Sequence, residues 1–387
     1  MKRRQNRSGQ IVPKGADRWL CRWSDGRDPR TGKWIQHSKT VIGSRLDAEA
    51  YLAKIQVAKS EGAYLSPSQV TVEMALDRWL DTLENSSKPR AETTLESYRS
   101  IARVRITPTI GAIPIQKLQG SEIERLYANL RADEYAPRTV AYTHAVLRAC
   151  LRWAEGKGKL LLVSPMRHVD SPSEDGGSSR AIALAAQQVR TFLEHAKGTP
   201  HFALFALLCG TGCRPGEALA LRWADVDLER AVARIERNLS RPGGRYKFRL
   251  PKTPRSRREV PLSPPIIRAL REHRRAQAES RLALGAAWED GDLVFAGAMG
   301  GPLDEPAVYR RHFLPLAEKA ELPASTRLYD ARHTFVSLAL TAGIPVHEVS
   351  RILGHSKVTT TLNTYSHLLP DRAVAATDAV GAAIFNG

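Results

Sequence analysis

The sequence is poor in the residues that build metal centres and disulfide frameworks. Its four cysteines, Cys21, Cys150, Cys209 and Cys213, form no CxxC pair and no zinc-ligand spacing, so buried reduced thiols are expected. Long apolar runs are also missing, and none reaches the ~18 residues that a spanning helix needs. The opening MKRRQNRSGQIVPKG is basic, but no apolar stretch follows it as in a signal peptide, and no lipidation motif occurs. A cytoplasmic chain with no membrane partner is expected. Acids are scarce relative to bases: 40 Asp and Glu stand against 58 Lys and Arg, a formal charge of +18. Each Lys or Arg set on a phosphate releases condensed counterions, so this surplus points to a polyanion, nucleic acid first. Residues 1–60 hold 14 bases against 5 acids, half the net charge in under a sixth of the chain. That head is a candidate binding module.

What is present divides the 387 residues into several bodies. In the head, RWLCRWSDGRDPRTGKWIQHSKTV alternates apolar and polar residues around turn chemistry, which predicts short strands joined by hairpins. Trp19, Trp23 and Trp34 are interleaved with its bases. SRLDAEAYLAKIQVAKSEG then predicts a helix with Leu46, Ala50, Ala53 and Val57 on its apolar face. From about 68 to 163 the pattern is helical. Val72, Ala75, Leu76, Trp79, Leu80 and Leu83 make one stripe, and Thr93 with Glu96 and Ser121 with Glu124 read as capping boxes. A fourth helix is expected from Pro137 to Glu155. Residues 164–180, SPMRHVDSPSEDGGSSR, are rich in Pro, Gly and Ser and predict a linker. After Ala181 helices resume around three strand-like stretches, VARIERNLS, RYKFRL and RREVPLS. The last segment, DRAVAATDAVGAAIFNG, is a candidate docking tail with Val374, Val380, Ile384 and Phe385 on a short helix.

Four segments of this second half concentrate chemistry. GTGCRPGEALALRW sets Arg214 at a Gly/Pro turn feeding a helix, with Glu217 three residues on. RYKFRLPKTPRSRREVPL carries seven Lys and Arg between 245 and 258 and no acid, in what reads as a hairpin. RLYDARHTF crowds Tyr329, Arg332 and His333 together. LGHSKVTTTLNTYSH places His355 ten residues before Tyr365. No paired carboxylates or His/Cys cluster stand at ligand spacing near these segments. Asp225 and Asp227 in WADVDL come nearest and read as turn residues before a strand, so no metal or other cofactor is expected.

Taken together, TGCRPGE, PKTPRSRREVPL, YDARHTF and LGHSKVTTTLNTYSH resemble, in order, the motifs of the tyrosine recombinase family, the phage integrases and their relatives. The resemblance implies a multidomain, mainly α architecture with small β-sheets. Its parts would be a basic strand-and-helix arm-binding domain over 1–65, an all-helical core-binding domain over 68–163, the linker 164–180, and a mixed α+β catalytic domain with its tail over 181–387. It further implies that Arg214 and Arg332 clamp a scissile phosphate, Lys252 protonates the departing 5′ oxygen, His355 contacts the phosphate and Tyr365 is the nucleophile. The physical logic is independent of the name. Attack on a phosphodiester loads charge on the nonbridging oxygens, which planar guanidinium forks match bidentately. A phenol of pKa ~10 is about a thousandth ionised at pH 7 and needs help to attack. The implied activity is site-specific integration or excision of a phage or other mobile element through a 3′-phosphotyrosine link. The implied partners are duplex DNA at core and arm sites, further copies of the chain in a tetramer, and accessory DNA-bending or excisionase proteins.

One position departs from the family. Most members carry histidine three residues before the second arginine, and here Tyr329 stands there. A neutral phenol is a far weaker base than imidazole near pH 7, so Tyr329 is read as a support that positions other groups. His333 is read as a helix-packing residue. Two other readings stay open: a type IB topoisomerase-like enzyme using the same chemistry, and a non-catalytic DNA-binding regulator that kept the fold.

Overall fold

The computed structural model describes residues 9–28, 31–173, 182–250, 256–354, 358–359 and 365. The chain forms two compact units, 1–178 and 179–387.

The first unit opens with an antiparallel sheet ordered β1 (Gln10–Pro13), β2 (Arg18–Arg27) and β3 (Trp34–Ile42). Because side chains alternate along a strand, Trp19, Cys21 and Trp23 turn one way while Arg18, Leu20 and Arg22 turn the other. The first set packs under helix Arg45–Ser60, where Cys21, Trp23, Ala48, Leu52 and Ile55 form a small core. The helix is where the sequence places it, but its buried face is Ala48, Leu52 and Ile55, whereas Leu46 and Val57 are exposed. Both sets repeat with the helical period. The set carrying the larger aliphatic side chains, Leu52 and Ile55, takes the core. A buried carboxylate locks the sheet to the chain that leaves it. Asp25 takes Lys59 at 2.7 Å, His37 at 2.7 Å and the Tyr64 hydroxyl at 2.9 Å, and Ser66 donates to it as well.

A larger helical core follows in the same unit. Thr71 caps helix Val72–Glu84 by accepting from the Met74 N–H, and Val72, Ala75, Leu76, Trp79 and Leu80 are buried as expected. The two expected capping boxes are not used. Helix Glu92–Ile101 begins after Ala91 with no side-chain cap, and helix Gly120–Ala132 begins after Gln119, whose N–H donates to Glu122 at 2.7 Å. Both helices thus start earlier than Thr93 and Ser121, so these two lie inside them, where their hydroxyls have no orphan N–H to satisfy. Helix Pro137–Glu155 closes the body with Val140, Val146, Leu147, Cys150 and Leu151 inside. Pro165–His168 is a short 3-10 turn whose Met166, with Val169 after it, packs on this core.

The second unit is built around helix Phe202–Thr211, FALFALLCGT, which is apolar all round and therefore central rather than amphipathic. Helices Ala186–Ala196, Pro264–Leu284, Leu314–Lys319 and Asp330–Thr341 surround one shared core. Two small antiparallel sheets lie at its margin. One is ordered β4 (Val226–Asp227), β5 (Val232–Ile235), β8 (Arg258–Pro261), and the other pairs β6 (Asn238–Ser240) with β7 (Lys247–Arg249). The basic stretch 245–258 is therefore not one hairpin, because its first strand pairs with β6 and its last with β5. Asp225 and Asp227 are structural: Asp225 pairs with Arg237 at 2.5 Å, and Asp227 accepts from the N–H groups of Glu229 and Arg230. A satellite core of Val336, Leu340, Val349, Leu353 and Tyr365 joins helix Asp330–Thr341 to helix Val346–Leu353. Among the described residues no helix is long and apolar enough to cross a membrane. The expected docking tail lies outside them.

Candidate active site

The site starts from a helix terminus. Gly212 ends helix Phe202–Thr211 in the left-handed region at φ 64°, and a Cβ there would come within 2.7 Å of Phe335 and 3.0 Å of Leu353. Only glycine fits such a turn cheaply. Its free carbonyl accepts from Arg332 Nη1 at 2.8 Å, while the Leu353 carbonyl accepts from Nη2 at 2.9 Å. Arg332 thus sits on two helix C-terminal carbonyls and is only 2% exposed. Among the described residues these bonds take two of the five guanidinium N–H donors.

Two residues beyond Gly212, Arg214 precedes the turn Pro215–Ala218. The Glu217 carboxylate accepts from the Arg214 backbone N–H at 2.9 Å and from its Nη1 at 2.7 Å. The same carboxylate takes Arg258 Nη2 at 2.9 Å, and both partners of this second pair are almost wholly buried. Arg258 Nε also donates to the Ile352 carbonyl. Glu217 and Arg258 were not picked out from sequence as site residues. The Pro at the first helical position and Glu two residues later were the available signal for Glu217, and Arg258 was hidden among six other bases.

Three guanidinium groups around one carboxylate leave an unbalanced positive site. Burial opposes the charge of Arg332, Arg214 adds repulsion, and together they bring its pKa down to about 10. Arg214 goes the other way: burial works against its charge, but Glu217 and the Tyr329 hydroxyl more than offset it. Burial alone would raise the Glu217 carboxyl, yet Arg258 and Arg214 hold it below the ordinary range. The arrangement suits a bound anion, which would remove the repulsion that Arg332 now bears.

Tyr329 is 41% exposed, engages Arg214 through its hydroxyl and stands edge-on to His333 with ring centroids 5.3 Å apart. Tyr365 is 5% exposed in the satellite core, and its hydroxyl shares a hydrogen bond with His333 Nδ1. Burial raises the phenol pKa against the opposing pull of Arg332, so Tyr365 is neutral here. His333, expected as a helix-packing residue, lies half-buried between the rings of Tyr329 and Tyr365 and also bonds the Tyr365 hydroxyl. The structure therefore gathers Arg214, Tyr329, Arg332 and Tyr365. Lys252 and His355 lie outside the described residues.

A cationic cluster of arginines beside a tyrosine, on a mixed scaffold of helices and small sheets, suits the binding of a phosphodiester next to a nucleophilic hydroxyl. Residues 183–372 match the family model described as Phage integrase family. A tyrosine recombinase XerC-like protein of Caldanaerobacter subterraneus subsp. tengcongensis is 26% identical over 388 aligned positions, covering 95% of this chain and 96% of that one. Among solved structures, the Tn1549 transposon integrase in complex with a circular intermediate DNA superposes with a TM-score of 0.68 at 22% identity, over 80% of this chain and 99% of that one. A lambda integrase tetramer bound to a Holliday junction gives 0.58 at 17% identity, over 95% and 97%. Residues 183–372 are thus a phage integrase family domain, in a chain similar over nearly its whole length to tyrosine recombinases.

Proposed function

We propose that this site-specific recombinase cuts and rejoins duplex DNA with Tyr365 as nucleophile and Arg214 and Arg332 as the clamp on the scissile phosphate. The observation that carries the reading is the gathering of Arg214, Arg258 and Arg332 around the one buried carboxylate of Glu217, with the Tyr365 phenol within the electrostatic reach of Arg332, which leaves positive charge where a phosphodiester would sit. Attack forms a bond from the Tyr365 oxygen to phosphorus and breaks the bond to the 5′ oxygen. Lys252 protonates that departing oxygen and His355 contacts the phosphate. The 3′-phosphotyrosine keeps the energy of the broken ester, so a second strand's 5′ hydroxyl reverses the step without ATP. Losing one such charge-stabilising donor costs ~10² to 10³ in rate at comparable sites. Tyr329, bonded to Arg214, supports the clamp.

In this reading the protein acts as a tetramer on two DNA sites, by likeness to the lambda integrase tetramer bound to a Holliday junction. Residues 1–65 bind arm sites, 68–163 and 181–387 bind the core site, and accessory DNA-bending or excisionase proteins take part. The sheet face bearing Arg18 and Arg22, opposite the helix, supports the arm-binding part. The test is a nicked suicide substrate that traps the covalent adduct. Tyr365→Phe yields no adduct and Tyr329→Phe retains some; equal trapping by Tyr365→Phe refutes the assignment. For Lys252→Ala, a 5′-phosphorothiolate leaving group restores cleavage if Lys252 is the general acid.

A further inference from the structure

The tyrosine at position 329 leaves the site without a base where the family has an imidazole. Its hydroxyl engages Arg214, and its ring meets the edge of His333. The imidazole one residue beyond Arg332 is on the other side of that contact, with its Nδ1 on the Tyr365 hydroxyl. Helix Asp330–Thr341 sets this up, since Arg332 and His333 are successive residues whose side chains diverge by the ~100° step of an α-helix. Arg332 goes to the two helix-terminal carbonyls. His333 goes to the satellite core that holds Tyr365.

We infer that His333 is the proton acceptor for Tyr365, holding the phenol through Nδ1 and taking its proton as the oxygen attacks phosphorus. The inference rests on Tyr365 being the nucleophile. In the step, the Tyr365 oxygen to phosphorus bond forms and the phosphorus to 5′ oxygen bond breaks. The phenol proton passes to Nδ1, which makes an imidazolium, and the departing oxygen takes its proton from Lys252. Rejoining runs in reverse, and His333 returns the proton to the phenol. The ring must carry its resting proton on Nε2 for Nδ1 to accept. Among the described residues the ionisable groups acting on the ring are Asp330 and Arg332 of its own helix, Tyr329 at the helix start, and Tyr365. Burial lowers the imidazole pKa first, with Asp330 raising it and Arg332 lowering it again, so the ring is neutral and available at pH 7.

The experiment is single-turnover adduct formation by the full chain on a nicked site, with DNA affinity measured alongside. His333→Ala is expected to slow adduct formation by ~10² to 10³ while leaving DNA affinity unchanged, within the usual range for a general base. His333→Gln, which keeps an acceptor but cannot take a proton, stays slow, and added imidazole speeds the Ala variant. The wild-type rate rises with pH through an ionisation that both variants lack. A His333→Gln enzyme at the wild-type rate overturns the inference, because a hydrogen bond alone then suffices. Faster adduct formation in His333→Ala also overturns it, because the contact then restrains Tyr365. If His333→Ala does not fold, the Gln variant and its pH profile decide alone. Adduct formation by Tyr365→Phe defeats the nucleophile assignment instead, a distinct result.

Discussion

Replacing Glu217 by Gln removes charge without volume and should be among the most damaging single substitutions in the second unit. Its carboxylate accepts Arg214 Nη1 at 2.7 Å, Arg258 Nη2 at 2.9 Å, Arg258 Nη1 at 3.3 Å and the Arg214 N–H at 2.9 Å. Glutamine keeps one acceptor oxygen and turns an NH₂ toward a guanidinium. Glu217 and Arg258 are 4% and 6% exposed by side chain, so water does not replace the lost partner. Breaking a buried pair from one side typically costs about 3–5 kcal/mol, because the remaining charge is left uncompensated. Equilibrium urea unfolding measures this as a lower midpoint at constant slope. Glu229→Gln is the control: Glu229 pairs with Arg271 at 2.7 Å but is 88% exposed, so its loss should lie within ~0.5 kcal/mol of zero. The two substitutions should also differ with pH. The Glu217 carboxyl is depressed in the folded chain, so its contribution is complete above the ordinary value of 4.5 and disappears as pH falls through the lower folded value. Wild type should thus lose stability in acid that Glu217→Gln never had. A Glu217→Gln loss below about 1 kcal/mol, equal to the Glu229 control, would refute the claim that burial makes this pair matter.

Gly212→Ala should destabilise by at least about 1–2 kcal/mol from the left-handed backbone alone, with the clash against Phe335 added. Adduct formation should fall too, since the displaced carbonyl anchors Arg332. Trp79→Ala should cost about 3–5 kcal/mol, read by thermal or urea unfolding, because Trp79 is buried and stacked on Tyr98 at 5.5 Å. Thr71→Ala should cost ~1 kcal/mol through the lost cap on the Met74 N–H.

Sequence pattern reached the helices whose apolar residues are large and regularly spaced. Helix Val72–Glu84 was legible because Val72, Leu76, Trp79 and Leu80 leave one face in no doubt. The helix Arg45–Ser60 was legible as a helix but not in its orientation, because alanines fill both candidate faces and the sheet beneath decides between them. Caps were misplaced for a related reason. A Ser or Thr followed by Glu signals a helix start only if the backbone N–H groups there lack partners, and that depends on where the preceding chain turns. At the site, the resemblance of the motifs singles out Arg214, Arg332 and Tyr365, which the fold brings near one another, while the contacts of Glu217, Arg258 and His333 were not legible. Glu217, bonded to Arg214, meets Arg258 across 41 residues, and His333 meets Tyr365 across 32. Such pairings are properties of the packed fold.

The substitution at 329 acquires a physical meaning from these pairings. A histidine there, beside Arg214 and Arg332, would sit in a field that disfavours its protonated form. A tyrosine hydroxyl accepts from a guanidinium without adding positive charge, so it can hold Arg214 in the clamp. Proton transfer is then free to pass to His333, where Asp330 partly offsets the charge of Arg332. Tyr329→His should therefore leave the fold intact and add a second ionisable group to the site. The pH profile of adduct formation would gain a further ionisation. An unchanged profile would show that position 329 takes no part in proton transfer even when it carries an imidazole.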